Sequence, residues 1–390
     1  MSKPGAADWP PILAGCCATL LGIGLQRFAY GPILPAMVQE GWLSAGLAGM
    51  LGGANLAGYL VGAFGAGMVA RALGVVRALR LCMLLAVAGF ALCAINGGFL
   101  WFLPWRVLAG FTGGVLMVLA GPAVQAVVSA GLRGFASGMV ISGVGVGIVI
   151  SAVLVPALLP FGLSSVWLAL AVAAGLLSVV TWTAWPDVAP PPPAPRGGPA
   201  LPVGAMPLLL VYGCAGLAGT AHMVFWPDFV ARGLSLGSHA GGLAWLGYGI
   251  AASLGGVLFG GLADRFGAAR ALRIGLALQA MSLLVPLLWT TPVALALSTA
   301  GAGVTVLGIT VLVLVRAREL AGEAAPRLWR LATAIWGVAT ALAGFLLSWL
   351  LVATHSHLPL FGAGLVAALV AVVIAWPSRT PDRVTSTRPD

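Results

Sequence analysis

The chain has 390 residues, of which 61% are hydrophobic and only 7% charged, with a formal net charge of +10 and a mean hydropathy of +1.07. A soluble domain carries about 25% charged residues and cannot cover its surface with so few. The basic balance does not point to nucleic acid either, because eighteen Arg and one Lys stand singly between long apolar runs with no basic block. What remains is a polytopic membrane protein whose basic residues mark its inner loops.

From the N-terminus, Lys3 and Asp8 precede apolar sequence that continues through Ile33. This run is too long for a signal-peptide core and lacks a cleavage site, so it is expected to stay as the first span. About 20 apolar residues cross roughly 30 Å of hydrocarbon. Twelve such segments follow one another, at approximately 11–37, 44–69, 77–96, 99–128, 134–159, 163–184, 205–230, 239–263, 268–290, 292–318, 327–353 and 358–376. Continuous apolar runs, in place of short alternating ones, exclude a β-barrel. The five cysteines, Cys16, Cys17, Cys82, Cys93 and Cys214, all fall inside these runs with no metal spacing and in odd number, and read as packing residues.

Residues 186–204 break the pattern with seven further prolines between Pro190 and Pro202. Such a stretch is an extended linker. The expected organisation is therefore a six-helix bundle at 1–185, the linker at 186–204, a second six-helix bundle at 205–376 and a tail at 377–390. With the N-terminus inside, sixteen basic residues (Lys3, Arg71, Arg77, Arg80, Arg133, Arg196, Arg265, Arg270, Arg273, Arg316, Arg318, Arg327, Arg330, Arg379, Arg383 and Arg388) lie on the inner side and Arg232 alone outside. That asymmetry predicts both termini in the cytoplasm.

The two halves repeat. Gly67-Met-Val-Ala-Arg71-Ala-Leu-Gly74-Val-Val-Arg77-Ala-Leu-Arg80 aligns at an offset of 193 with Gly260-Gly-Leu-Ala-Asp264-Arg265-Phe-Gly267-Ala-Ala-Arg270-Ala-Leu-Arg273, identical at seven of fourteen positions. Gly110 of span four meets Gly303 of span ten at the same offset. The Gly260 to Arg270 segment resembles the loop signature of the major facilitator superfamily. Arg106-x-x-x-Gly110-x-x-x-Gly114 resembles that superfamily's second motif. Gly24-Leu-Gln-Arg27-Phe-Ala-Tyr30-Gly-Pro32-Ile-Leu-Pro35, Asn55-Leu-Ala-Gly58-Tyr59 and the Ser142-Gly143-Val-Gly145-Val-Gly147 run resemble the YbfB/YjiJ-like bacterial branch.

The resemblance implies an all-α integral membrane fold of twelve helices in two pseudo-symmetric six-helix bundles, with a solute site between them. It implies a multi-pass protein of a bacterial cytoplasmic (inner) membrane, acting as a monomer without cofactor or metal. The loop signature (Gly67, Arg71, Gly74 and Arg77; Gly260, Asp264, Arg265, Gly267 and Arg270) is implied to latch the cytoplasmic side. One position departs from the pattern: Arg71 stands where the second copy has Asp264, which leaves the latch mainly to the second copy.

Charges at mid-membrane are costly and mark function by default. Arg27, about sixteen residues into span one, and Arg106, about seven into span four, are both expected about 10–15 Å below the outer surface at roughly 1.5 Å per residue. Their guanidiniums suit carboxylate or phosphate oxygens, so the two are expected to converge as an anion clamp. Tyr30 shares the expected face of Arg27, and Asn55 and Tyr59 lie four apart on one face. His222, Tyr248 and Thr299 complete the expected substrate set. Arg106, His222 and Asp228 are the expected proton-coupling groups.

No hydrolase, phosphate-loop or metalloprotease pattern is present, so no enzyme is expected. The function read from the sequence is secondary transport of a small organic solute, anionic or amphipathic, by alternating access with proton coupling. The alternatives are a proton-driven drug or sugar exporter, or a receptor or structural subunit on the same fold.

Overall fold

In hydrocarbon a peptide group must find its partner within its own segment, which leaves helix as the only form open to these runs. The computed structural model describes residues 4–190 and 202–376; Lys3, Arg196, Arg379, Arg383, Arg388, the tail and linker residues 191–201 lie outside them. The first six helices are α1 (Trp9–Gln39), α2 (Ala45–Leu73), α3 (Val75–Cys93), α4 (Gly98–Val127), α5 (Arg133–Leu158) and α6 (Leu163–Val180). The second six are α7 (Ala205–Gly233), α8 (Gly237–Phe266), α9 (Ala268–Leu288), α10 (Pro292–Ala321), α11 (Ala325–Thr354) and α12 (Leu358–Ala375). Helices α10 and α11 are joined only by a 3₁₀ turn, so Pro292–Thr354 reads as one apolar helical stretch holding two spans. No strand occurs among the described residues.

The sequence repeat is a repeat of packing. A Cβ on Gly62 of α2 would strike the carbonyl of Phe111 in α4, and one on Gly255 of α8 would strike the carbonyl of Val304 in α10. A Cβ on Gly110 would overlap the carbonyl of Asn55, and one on Gly303 that of Tyr248. Every one of these positions pairs with its counterpart at the 193-residue offset. Small residues here let backbones touch, which is how helices associate where apolar burial offers no drive. The turns match too: Gly74 and Gly267 sit at φ of 81° and 82° between equivalent helices, a backbone that glycine alone takes up freely.

The two bundles meet tightly at the arginine-rich end and part at the other. Along α2, residues 46, 53, 60 and 67 share a face at heptad spacing. A Cβ on Gly67 would meet Arg330 of α11 at 2.7 Å, and Leu60 reaches the Cβ position of Gly337 at 2.9 Å. One step further in the same antiparallel register, Gly53 and Gly344 each have nothing within 4 Å. On the opposite seam, Gly134 and Gly138 of α5 press on Gly260 and Gly256 of α8 with backbone in mutual contact. The fold is thus closed at the arginine-rich end and splayed at the other.

Helix α1 is not uniform. Residues Leu20–Phe28 wind as a π-helix and Tyr30–Gln39 resume the α form. Wide turns of this kind shift the register of the side chains that follow. Gly24 lies in the wide segment against the backbone of Gly147, while Pro32 and Pro35 fall in the α-helical part beyond it.

Candidate functional site

The π-helical segment decides where the two membrane arginines go. Arg27 turns into the seam between the bundles and lines a central cavity with Ile23, Phe28, Tyr59 and Met117 from one half and Tyr212, Tyr248, Thr310 and Trp336 from the other. Its Cζ lies 5.5 Å from the Trp336 ring and 5.8 Å from that of Tyr59, within the range of cation–π attraction. Nη1 of Arg27 is buried without a hydrogen-bond partner, as is the Tyr248 hydroxyl. Tyr212 donates to Thr310 Oγ1 at 3.1 Å, and Thr310 in turn donates to the Val306 carbonyl. The open volume is about 30 Å³, room for about two waters. Phe28 and Trp245, from opposite bundles, pack at 6.1 Å on the splayed side, and Trp245 stacks on Tyr248 at 5.2 Å.

Arg106 takes another path. It is 2% exposed and lies outside the cavity lining. Its Nη1 donates to the Gln26 carbonyl at 3.0 Å, and its Cζ lies 4.1 Å from the Tyr30 ring centre. Tyr30 donates to the Ala48 carbonyl at 2.8 Å, Asn55 donates to the Arg106 carbonyl at 3.3 Å, and Thr112 donates to Gln26 Oε1 at 3.0 Å. These residues bind α1, α2 and α4 into one unit. The expected convergence of two guanidiniums on one cavity therefore does not occur. A three-residue step that would be co-facial in an α-helix is not so across the π turns, and Tyr30 covers Arg106 while Arg27 faces away.

Of the remaining expected substrate residues, Tyr59 and Tyr248 line the cavity, and His222 and Thr299 do not. His222 lies against Trp226 and Phe361 and bonds Ser298 Oγ at 2.9 Å. Ser298 spends its one proton on the Ser282 carbonyl, so His222 Nε2 carries the hydrogen and donates. Thr299 accepts from Trp226 Nε1 at 2.9 Å. Replacing His222 by Gln, which can donate to the same hydroxyl, is expected to leave the pH profile of transport unchanged; a displaced profile in reconstituted vesicles would give the ring a titrating role. Asp228 sits at the splayed end, paired with Arg232 and accepting from His357 Nε2 at 2.8 Å.

The loop signature gathers at the closed end. Asp264 crosses from α8 to the first turn of α5, its two oxygens accepting from the Gly134 and Phe135 N–H groups at 2.8 Å each. This is helix capping supplied by the other bundle, satisfying two of the otherwise unpaired donors of α5. Gly260 provides the close approach that lets it reach. Arg77, Arg265 and Arg270 are exposed and make no ion pair among the described residues. Residues that sequence reasoning passed over include Gly134, which acts only through its N–H, and Tyr212 and Trp336 on the cavity wall. Met117 and Thr310 also line it and are partners at the 193-residue offset, so the repeat itself carried a usable signal for them.

Two matching bundles, sealed at one end around a central cavity with a cationic wall, define a membrane transporter of the major facilitator class. The chain belongs to the family described as "Uncharacterised MFS-type transporter YbfB", whose model matches residues 19–376. Comparison with curated protein sequences gives no match. Among solved structures it is similar to the proton:xylose symporter XylE bound to 6-bromo-6-deoxy-D-glucose (14% identity, TM-score 0.76, 95% of each chain). It is similar also to the E. coli fucose:proton symporter FucP (14%, 0.73, 96% of this chain and 100% of that one). A bacterial homologue of the iron transporter ferroportin in its outward-facing state shares 17% identity with a TM-score of 0.73 over 95% and 99% of the two chains. The family and fold are those of transporters and not of enzymes.

Proposed function

We propose that the chain moves a small organic anion, apolar in body and carrying a carboxylate or similar group, by alternating access across a bacterial inner membrane. The arginine-rich end faces the cytoplasm in this reading, supported by the positive-inside asymmetry, and each monomer carries its own cavity. The observation that carries the proposal is the Arg27 guanidinium, with Nη1 buried and unpartnered on the wall between the bundles. A buried cation without a counter-charge is costly, and a solute oxygen relieves that cost. The Tyr248 hydroxyl offers a second donor to the same solute, while the surrounding Tyr, Trp, Met and Ile side chains suit an apolar body.

The cavity in its present state admits no solute. Entry is from the splayed side, past Phe28 and Trp245, and release follows opening of the Asp264 seam. Proton coupling belongs to the proposal by likeness to the symport named for XylE and FucP. Arg106 and His222 are buried in internal bonds, so Asp228, which stands at the splayed end beside Arg232 and His357, is the group assigned to it. The test is counterflow in vesicles holding the full chain, comparing radiolabelled organic anions with neutral sugars and cationic drugs, with an entrapped pH dye. Flux confined to anions is expected; flux of sugars or cations alone would overturn the reading, and anion flux without a pH change would remove the coupling.

A further inference from the structure

Where one seam is latched by a carboxylate, the matching seam is lined by arginines. At the 193-residue offset Asp264 corresponds to Arg71, and Gly134, which Asp264 binds, corresponds to Arg327. Nη1 of Arg330 and Nη1 of Arg71 stand 2.7 Å and 3.3 Å from the point a Gly67 Cβ would occupy. One guanidinium from each bundle therefore converges over a glycine. Arg327 lies one turn before Arg330 on the same face of α11. Among the described residues none of the three arginines makes an ion pair: Glu319 is held by Arg316 and by the Ala268 N–H, and Glu323 pairs with nothing. The first turn of α11 has no side-chain cap, in contrast to that of α5. Like charges this close call for an anion between them.

The surroundings say which anion. Val61, Phe64 and Met68 of α2 are 62%, 51% and 63% exposed and step by three, four and three residues to Arg71, forming one apolar track that ends on a guanidinium. A free phosphate would use the arginines and leave the track bare, whereas a phospholipid uses both. We propose that an anionic phospholipid of the leaflet at the arginine-rich end sets its phosphate between Arg71 and Arg330, acyl chain along the Val61–Met68 track, and so bridges the two bundles as Asp264 bridges them on the other seam. The site is independent of the solute carried.

Native mass spectrometry of the full chain in detergent, incubated with phosphatidylglycerol or phosphatidylcholine, tests this. Phosphatidylglycerol is expected to be retained in preference, and Arg71→Gln and Arg330→Gln each to weaken retention about five-fold. Arg71→Lys should keep the preference, and Arg71→Asp, which supplies its own partner for Arg330, should abolish it while the thermal midpoint holds. Equal retention of the two lipids, or unchanged retention in both glutamine variants, overturns the proposal. Displacement of phosphatidylglycerol by inorganic phosphate, with equal thermal stabilisation, would make this a free-anion site and overturn it as well.

Discussion

Arg27→Gln is expected to cut anion counterflow by about 100-fold or more, with membrane insertion and chromatographic profile intact. A desolvated charge pair broken by removal of one partner costs about 3–5 kcal/mol, and each 1.4 kcal/mol is about a factor of ten. The structure makes this an isolated loss, because Arg27 Nη1 has no protein partner to leave stranded. Arg27→Lys keeps the charge and loses the planar fork, and should fall between, near ten-fold below wild type by the weight of one charge-assisted hydrogen bond, about 1.5 kcal/mol. Arg106→Gln, by contrast, frees the Gln26 carbonyl and the Tyr30 ring from α4 and leaves only the Thr112 bond to the Gln26 side chain, and its effect should show first as lowered thermal stability. Wild-type flux in Arg27→Gln would sink the anion site.

The second large effect concerns the latch. Asp264→Ala removes both acceptors from the Gly134 and Phe135 N–H groups, the two polar contacts through which α8 caps α5. Hydrogen bonds to a charged group are worth about 1.5–3 kcal/mol each, so losing the pair should shift the balance toward opening of the arginine-rich end by about 100-fold, and Asp264→Asn, which keeps one acceptor, by about ten-fold. A cysteine at Ser142, which lies against Gly256 in the closed seam, reports the change in an otherwise cysteine-free chain. Its labelling by a membrane-impermeant maleimide from the arginine-rich side should quicken in proportion. Unaltered labelling would mean that the glycine contacts, and not the carboxylate, hold the seam. The asymmetry of the two seams sharpens the test, since Arg71 supplies no comparable acceptor at α11.

The order of residues set the number and length of the spans, because an unpaired peptide group in hydrocarbon must be satisfied within its own segment and every apolar run becomes a helix. It determined the internal repeat down to the glycines that set helix contacts, since at those positions no side chain fits. It also marked Arg27, through the price of placing a charge there. Which way that charge faces depends on how the helices wind and pack. A stretch of π-helix between Leu20 and Phe28 leaves no compositional trace, yet it sends Arg27 into the cavity and leaves Arg106 bound to Gln26 and Tyr30. The latch was half legible for a related reason: Asp264 stands out as an acidic residue at a span end, but its partner is a backbone N–H, which every residue but proline possesses. Tyr212 and Trp336 likewise became cavity residues only when the second bundle faced the first, because the wall they share with Arg27 and Tyr59 is built from both.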